Sequence, residues 1–158
     1  MRFRCLTNEE LKELDAELIQ FLILNQVYKE DWAIMNQEDS LKAKQLIELF
    51  SDVVLDKVYN KVSFLERQVP RQVCFCSLSE TNGEMITIEA IDNDLDLTNE
   101  EMIDECLLLS PSKISIYSGK KAFSKTKADE VFLLLNHGFI VSNEERFKNI
   151  MQHIVTSN

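Results

Sequence analysis

Apolar side chains between Ser40 and Gln68 return at Leu46, Phe50, Val53, Val54, Val58, Val62 and Leu65, the spacing that lines one face of an α-helix. Neither Gly nor Pro interrupts the stretch. Pro70 provides a stop, because it lacks an N–H and restricts the residue before it. At about 1.5 Å per residue the predicted helix runs about 40 Å. Leu49, Leu55 and Phe64 lie off the stripe, so packing on more than one side is expected.

Ahead of this helix, Leu6-Thr7-Asn8-Glu9-Glu10-Leu11 combines a capping box (Thr7 with Glu10) with an apolar staple (Leu6 with Leu11). Leu11, Leu14, Leu18, Phe21 and Leu22 mark the inner face of a first helix ending near Asn25. A short helix from Lys29 to Asn36 holds the lone tryptophan, Trp32, and Asp39 is placed to cap the long helix. Beyond Pro70 the period shortens to two. Val73–Leu78 and Met85–Ile91 flank Glu80-Thr81-Asn82-Gly83, a hairpin signal. Leu97-Thr98-Asn99-Glu100-Glu101-Met102 repeats the staple and capping box and opens a helix to about Leu109. Ile114–Tyr117 reads as a third strand, and helices are predicted from Lys127 to Asn136 and from Ser142 to about His153. The predicted fold is an α+β single domain over residues 1–158. An N-terminal helical hairpin (residues 1–69) packs on a small, mostly antiparallel three-stranded sheet with C-terminal helices (a ββαβαα half, 70–158). The one internal boundary falls at Gln68–Arg71.

Composition narrows the class. With 45% apolar and 28% charged residues, three Gly and two Pro, the chain reads as an ordinary globular protein. No apolar run approaches the roughly 20 residues that cross a bilayer, and MRFRCLTNEE lacks the apolar centre of a secretory leader. A cytoplasmic location is expected. Cys74 and Cys76 point to one face of a strand and, with Cys5 and Cys106, are expected as small buried thiols rather than a disulfide framework or a redox pair.

Charge is segregated along the chain. Between Gln72 and Ser112 lie ten acidic residues and no Lys or Arg, which accounts for the net charge of −10. Lys113 to Lys127 reverses this, with five lysines and no acid. Asp92, Asp94 and Asp96 alternate as at the start of a calcium loop, but Leu97 and Ile103 stand where that loop needs Gly and a bidentate Glu. No metal and no cofactor are therefore expected. No nucleophile elbow, P-loop, zinc-protease motif or dinucleotide fingerprint is present, and no catalytic residue is assigned. His137 beside Gly138 is read as a helix C-terminal residue.

Two surfaces are candidates for binding. Glu48, Asp52 and Asp56 form an acidic stripe on the long helix, joined by Asp92, Asp94, Asp96, Glu100 and Glu101 of the acidic segment. Tyr117, Lys120, Lys121 and Lys125 lie in a predicted Lys-rich loop (117–127) that opens a helix and is suited to a phosphate or nucleotide ligand.

The pattern of Leu6-Thr7, Phe21-Leu22, Trp32, Phe50-Ser51-Asp52 and Asn60-Lys61-Val62 with Leu65-Glu66 resembles a domain-of-unknown-function family. Asp96-Leu97-Thr98 and Tyr117 followed by Lys121-Ala122-Phe123-Ser124 extend the resemblance through most of the chain. That family comprises small cytoplasmic proteins of Bacteroidetes. The resemblance implies an α+β single domain in the cytoplasm and carries over no activity and no site residues. The expected function is a non-catalytic adaptor or regulatory module that binds a protein through its acidic surface. The alternative is a small enzyme or phosphate-ligand binder using the Lys-rich loop. Nucleic acid and membranes are not expected partners; a second copy, held by the opposed charges, is a further candidate.

Overall fold

The long helix stops sooner than its periodicity predicts. In a computed structural model, which describes residues 1–156, α4 runs Ser40–Lys61 and the chain re-enters as a strand, β1 (Phe64–Val69). Asp39 caps α4 as expected, its carboxylate accepting the Lys42 amide at 3.1 Å. Three residues apart, Val62 and Leu65 share a helix face and so continue the helical stripe, and Leu65 is equally well buried from a strand, so periodicity alone does not mark the change at Lys61. Backbone pairing decides for the strand: β1 lies antiparallel to β2 (Gln72–Leu78), from Phe64 opposite Ser77 to Val69 opposite Gln72. Pro70 therefore serves a tight β-turn rather than a helix end. The buried side of α4 also differs from the predicted stripe. Ala43, Phe50, Ser51, Leu55 and Tyr59 are buried, whereas Val53 and Val58 are 45% and 49% exposed.

The chain divides into two compact units, Met1–Val58 and the residues from Tyr59 onward. This division falls earlier than Gln68–Arg71, because β1 is hydrogen-bonded into the sheet. In the first unit the predicted opening helix is broken at Leu14 into α1 (Asn8–Glu13) and α2 (Asp15–Leu24). The Thr7–Glu10 capping box forms as expected. A short helix, α3 (Lys29–Glu38), precedes α4. Between α2 and α3, Val27 N–H bonds Leu22 C=O and Gln26 N–H bonds Ile23 C=O, a Schellman stop with Gln26 in the left-handed region (φ 62°). Ser51, with no exposed surface, accepts the Leu6 amide at 3.0 Å and donates to the Ile47 carbonyl at 2.7 Å.

Among the described residues of the second unit the sheet has five strands, all antiparallel, in the order β4-β3-β2-β1-β5, and not the three predicted. The added strands are β1 and β5 (Ile140–Val141). The first was hidden in the helical stripe, and the second is a two-residue run with too short a pattern to read. β3 spans Asn82–Ala90, so Asn82-Gly83 begins the strand and the turn itself is Glu80-Thr81. β4 spans Ile114–Ala122, more than twice the length of the predicted strand. The tail of α4 leads into β1, and α5 (Glu100–Leu109), α6 (Lys127–Asn136) and α7 (Glu144–Thr156) follow β3, β4 and β5. Capping differs in detail. Asn99, not Thr98, caps α5 by accepting the Glu101 amide at 2.9 Å, and the last helix starts after Asn143, whose side chain accepts the Arg146 amide at 2.9 Å.

Register assigns the two sheet faces. Val73, Phe75, Ile86 and Ile88 share one face and form a core with Ile103, Cys106 and Leu107 of α5 and Phe147 and Ile150 of α7. Arg146 closes this side, over the Phe75 ring at 5.2 Å and within 3.6 Å of Glu66 and 3.5 Å of Glu100. Cys74, Cys76, Leu78, Gly83, Met85 and Thr87 point to the opposite face. Among the described residues no helix is long and apolar enough to cross a membrane.

Candidate functional site

The predicted acidic residues are largely engaged by their own chain. Asp52 accepts the amides of Arg2 (2.7 Å) and Phe3 (3.0 Å), Asp56 pairs with the Arg2 guanidinium at 2.5 Å, and Glu48 lies 3.9 Å from Lys44. The α4 stripe thus holds the N-terminal segment. In the connector before α5, Asp92 accepts the Asp94 amide at 3.1 Å. Asp96 accepts both the Thr98 hydroxyl (2.6 Å) and the Thr98 amide (3.0 Å), bonds that hold its carboxyl below the usual range. Arg71 pins the connector through the carbonyls of Ala90 and Asp92. Glu100 lies 3.5 Å from Arg146, while Asp94 and Glu101 are exposed. Among the described residues, no group of three or more His, Cys, Asp and Glu side chains is placed to hold a metal ion.

The Lys-rich segment is not the loop that its composition suggests. Tyr117, Lys120 and Lys121 belong to β4, and only Lys125 falls in the link to α6. The start of α6 is already occupied: Thr126 and Asp129 form a capping box, and Asp129 and Glu130 fill the first turn. A phosphate placed there meets two carboxylates, which opposes the attraction of the helix N-terminus for anions.

What the strand does create is a cleft. Gly119, Lys120 and Lys121 line one side of a ≈ 350 Å³ depression between the second sheet face and α6. Cys76 and Met85 form its floor, Leu133 and Leu134 its helical wall, and Phe123 one end. A Cβ on Gly83 would lie 3.1 Å from both Leu78 and Phe123, so glycine lets the Phe123 ring close on the sheet. At Gly119 the reverse holds: a Cβ would meet nothing within 4 Å. The missing side chain leaves a notch in β4 between Tyr117 and Lys121, its neighbours on the same face. Lys121 lies 3.7 Å from Glu130 at the rim. Lys127, only 5% exposed, approaches Glu80 at 3.9 Å and ties the β2–β3 turn to the start of α6.

Cys76 on the floor is a buried thiol. Burial, then the neighbouring Cys74, pushes its pKa up to about 12. All four cysteines are free. Sequence reasoning found the segment that holds the lysines, Gly119 and Phe123, but as a phosphate loop, and it assigned no site role to Met85, Leu133 or Leu134. A glycine inside the run Ile114–Ala122 was the available signal, since glycine in a strand marks a close approach or an opening.

β4 also forms an edge of the sheet. Among the described residues its one strand partner is β3, and Ile116 to Ala122 are exposed along its length. Among the described residues, no backbone bond outside the β3 pairing reaches Ser115–Ala122. The opposite edge, β5, is two residues long. In the first unit a separate apolar depression of ≈ 580 Å³ lies between α2 and α3, against Leu22, Val27 and Trp32.

A family model matches residues 1–155, and the chain belongs to that family, DUF6495, a family of unknown function. No curated protein and no solved structure gives a significant match to the chain.

Proposed function

We propose that this member of the DUF6495 family is a non-catalytic protein-binding module, in which an extended segment of a partner protein adds to the open edge of β4. The observation that carries this reading is the nine-residue β4, unpaired by any described residue and exposed along one side, at the margin of an antiparallel sheet. Such an edge offers a row of N–H and C=O groups, and an added strand satisfies them without rearranging the domain. The free thiols suit a reducing compartment, so the cytoplasm is the proposed location. An acidic interface is a weaker reading, because Asp52, Asp56, Asp96 and Glu100 already serve internal bonds.

A photo-reactive residue at Ser118, introduced in the living host, tests this. Adducts that map to one extended partner segment are expected, with none from a control position at Lys57 on α4. A synthetic peptide of that segment should then slow amide exchange in β4. Adducts that are absent, or equal at the two positions, refute strand addition.

A further inference from the structure

We infer that the β4 edge selects its partner through the notch at Gly119. The segment it takes carries a large apolar residue opposite Gly119 and an acidic residue beside it, opposite Lys120. This rests on the strand-addition reading above and specifies its ligand. A strand laid against β4 places alternate side chains on the two faces. The residue opposite Gly119 points to the same face as Gly119 and Met85, the face that the cleft occupies. No Gly119 side chain stands between that residue and the cleft. The cleft walls are Met85, Phe123, Leu133 and Leu134, with Cys76 below. An aliphatic or aromatic side chain therefore exchanges water for apolar surface there, and an aromatic ring also covers the bare glycine across the strands.

Charge decides the neighbouring position and the kind of partner. Lys120 points to the other face, across from Glu84 of β3, is exposed, and makes no ion pair within 4.0 Å among the described residues, so its ammonium stays open to a second carboxylate on the free side. Lys121, by contrast, is already shared with Glu130. A carboxylate directly across from Lys120 forms a favourable cross-strand pair. A second copy of this chain is disfavoured as the occupant. Pairing two β4 strands would bring together two segments that each carry five lysines and no acid from Lys113 to Lys127. An acidic, extended segment of another protein meets the same surface with opposite charge.

The test uses the full chain and three nine-residue peptides. The first has phenylalanine at its centre between two glutamates, with valine and threonine outside. The second replaces the phenylalanine by glycine, and the third replaces both glutamates by lysine. With glutamate on either side of the anchor, one faces Lys120 in either strand direction. The first peptide is expected to slow amide exchange in β4. The glycine peptide should bind about tenfold or more weakly, as removal of a buried aromatic side chain requires. The lysine peptide should bind severalfold more weakly. In the Gly119→Val protein the phenylalanine and glycine peptides should bind alike, because the valine fills the notch. In Lys120→Glu, which leaves the notch intact, the order of the glutamate and lysine peptides should invert. Equal binding of the phenylalanine and glycine peptides, with β4 still protected, overturns the notch and leaves strand addition standing. Protection of other elements only, or of none by any peptide, overturns both.

Discussion

Ser51→Ala isolates the contribution of one buried hydroxyl to the first unit. The Ser51 oxygen accepts the Leu6 amide at 3.0 Å from a side chain with no exposed surface, and Leu6 is itself buried. Alanine removes the acceptor but opens no room for water, so the amide is left buried without a partner. That costs about 1–3 kcal/mol. The donated bond to the Ile47 carbonyl is also lost, but this oxygen lies in the interior of α4 and keeps its helical partner. Alanine improves helix propensity by up to about 0.5 kcal/mol, which offsets part of the loss. A net destabilisation of about 1–2 kcal/mol follows. The comparison is Asp56→Ala, which breaks the pair with Arg2, where each side chain is 38% exposed. An ion pair so open to solvent contributes about 0.2–1 kcal/mol. Urea unfolding of both variants, with amide exchange of Phe3 and Leu6, should rank Ser51→Ala as the more damaging. The reasoning fails if Asp56→Ala costs more, or if Leu6 exchange is unchanged in Ser51→Ala.

Three further outcomes are expected. Gly138, at φ +86°, ends α6 in a Schellman stop, with the Phe139 amide on the Leu134 carbonyl. Gly138→Ala should cost about 1 kcal/mol, whereas Gln26→Gly at the equivalent stop after α2 should stabilise by up to about 1 kcal/mol, both read by thermal unfolding. Glu10 has its carboxyl lowered to about 2, first by the Arg4 side chain and then by the Thr7 amide. A lowered pKa gives stability that is present above the unfolded value and is lost as pH falls from about 4.5 toward 2. The pair is solvent-exposed, so acid titration of Arg4→Gln against wild type should differ by no more than about 1 kcal/mol, with the gap closing across that window. Cys76, with its pKa near 12, should resist iodoacetamide at pH 8 in the folded protein, as peptide mass mapping would show, and react once urea exposes it.

The residues that announced themselves in sequence were those whose chemistry is local. Thr7 with Glu10, Asp39 before α4 and Gly138 after α6 satisfy backbone groups within a few positions, and each does so in the structure. Val73–Leu78 and Met85–Ala90 were legible as a hairpin for the same reason. Phe64–Val69 was not, because its strand identity depends on β2 and β5, which lie far along the chain. The length of β4 was obscured by its composition. Ser118-Gly119-Lys120-Lys121 has weak strand propensity, and its conformation comes from pairing with Gly83 to Ile86. The lysines were visible, but the cleft beside them needed α6 and Phe123 in place.

The composition of β4 has a physical logic that unites these points. A long open edge is a hazard, since any other edge, including that of another copy, can pair with it. A two-residue β5 lowers this hazard by brevity, but β4 has nine residues. Lysines at 120 and 121 repel another copy of the same strand, and they cost little because the side chains stand in solvent. Glycine at 119 does not add to that protection; it weakens the strand and uncovers apolar surface beneath. A sequence selected only to close the edge would place a charged or β-branched residue there. In the proposed complex the two features act together: the lysines reject like-charged strands, and the notch accepts the one segment whose anchor fills it.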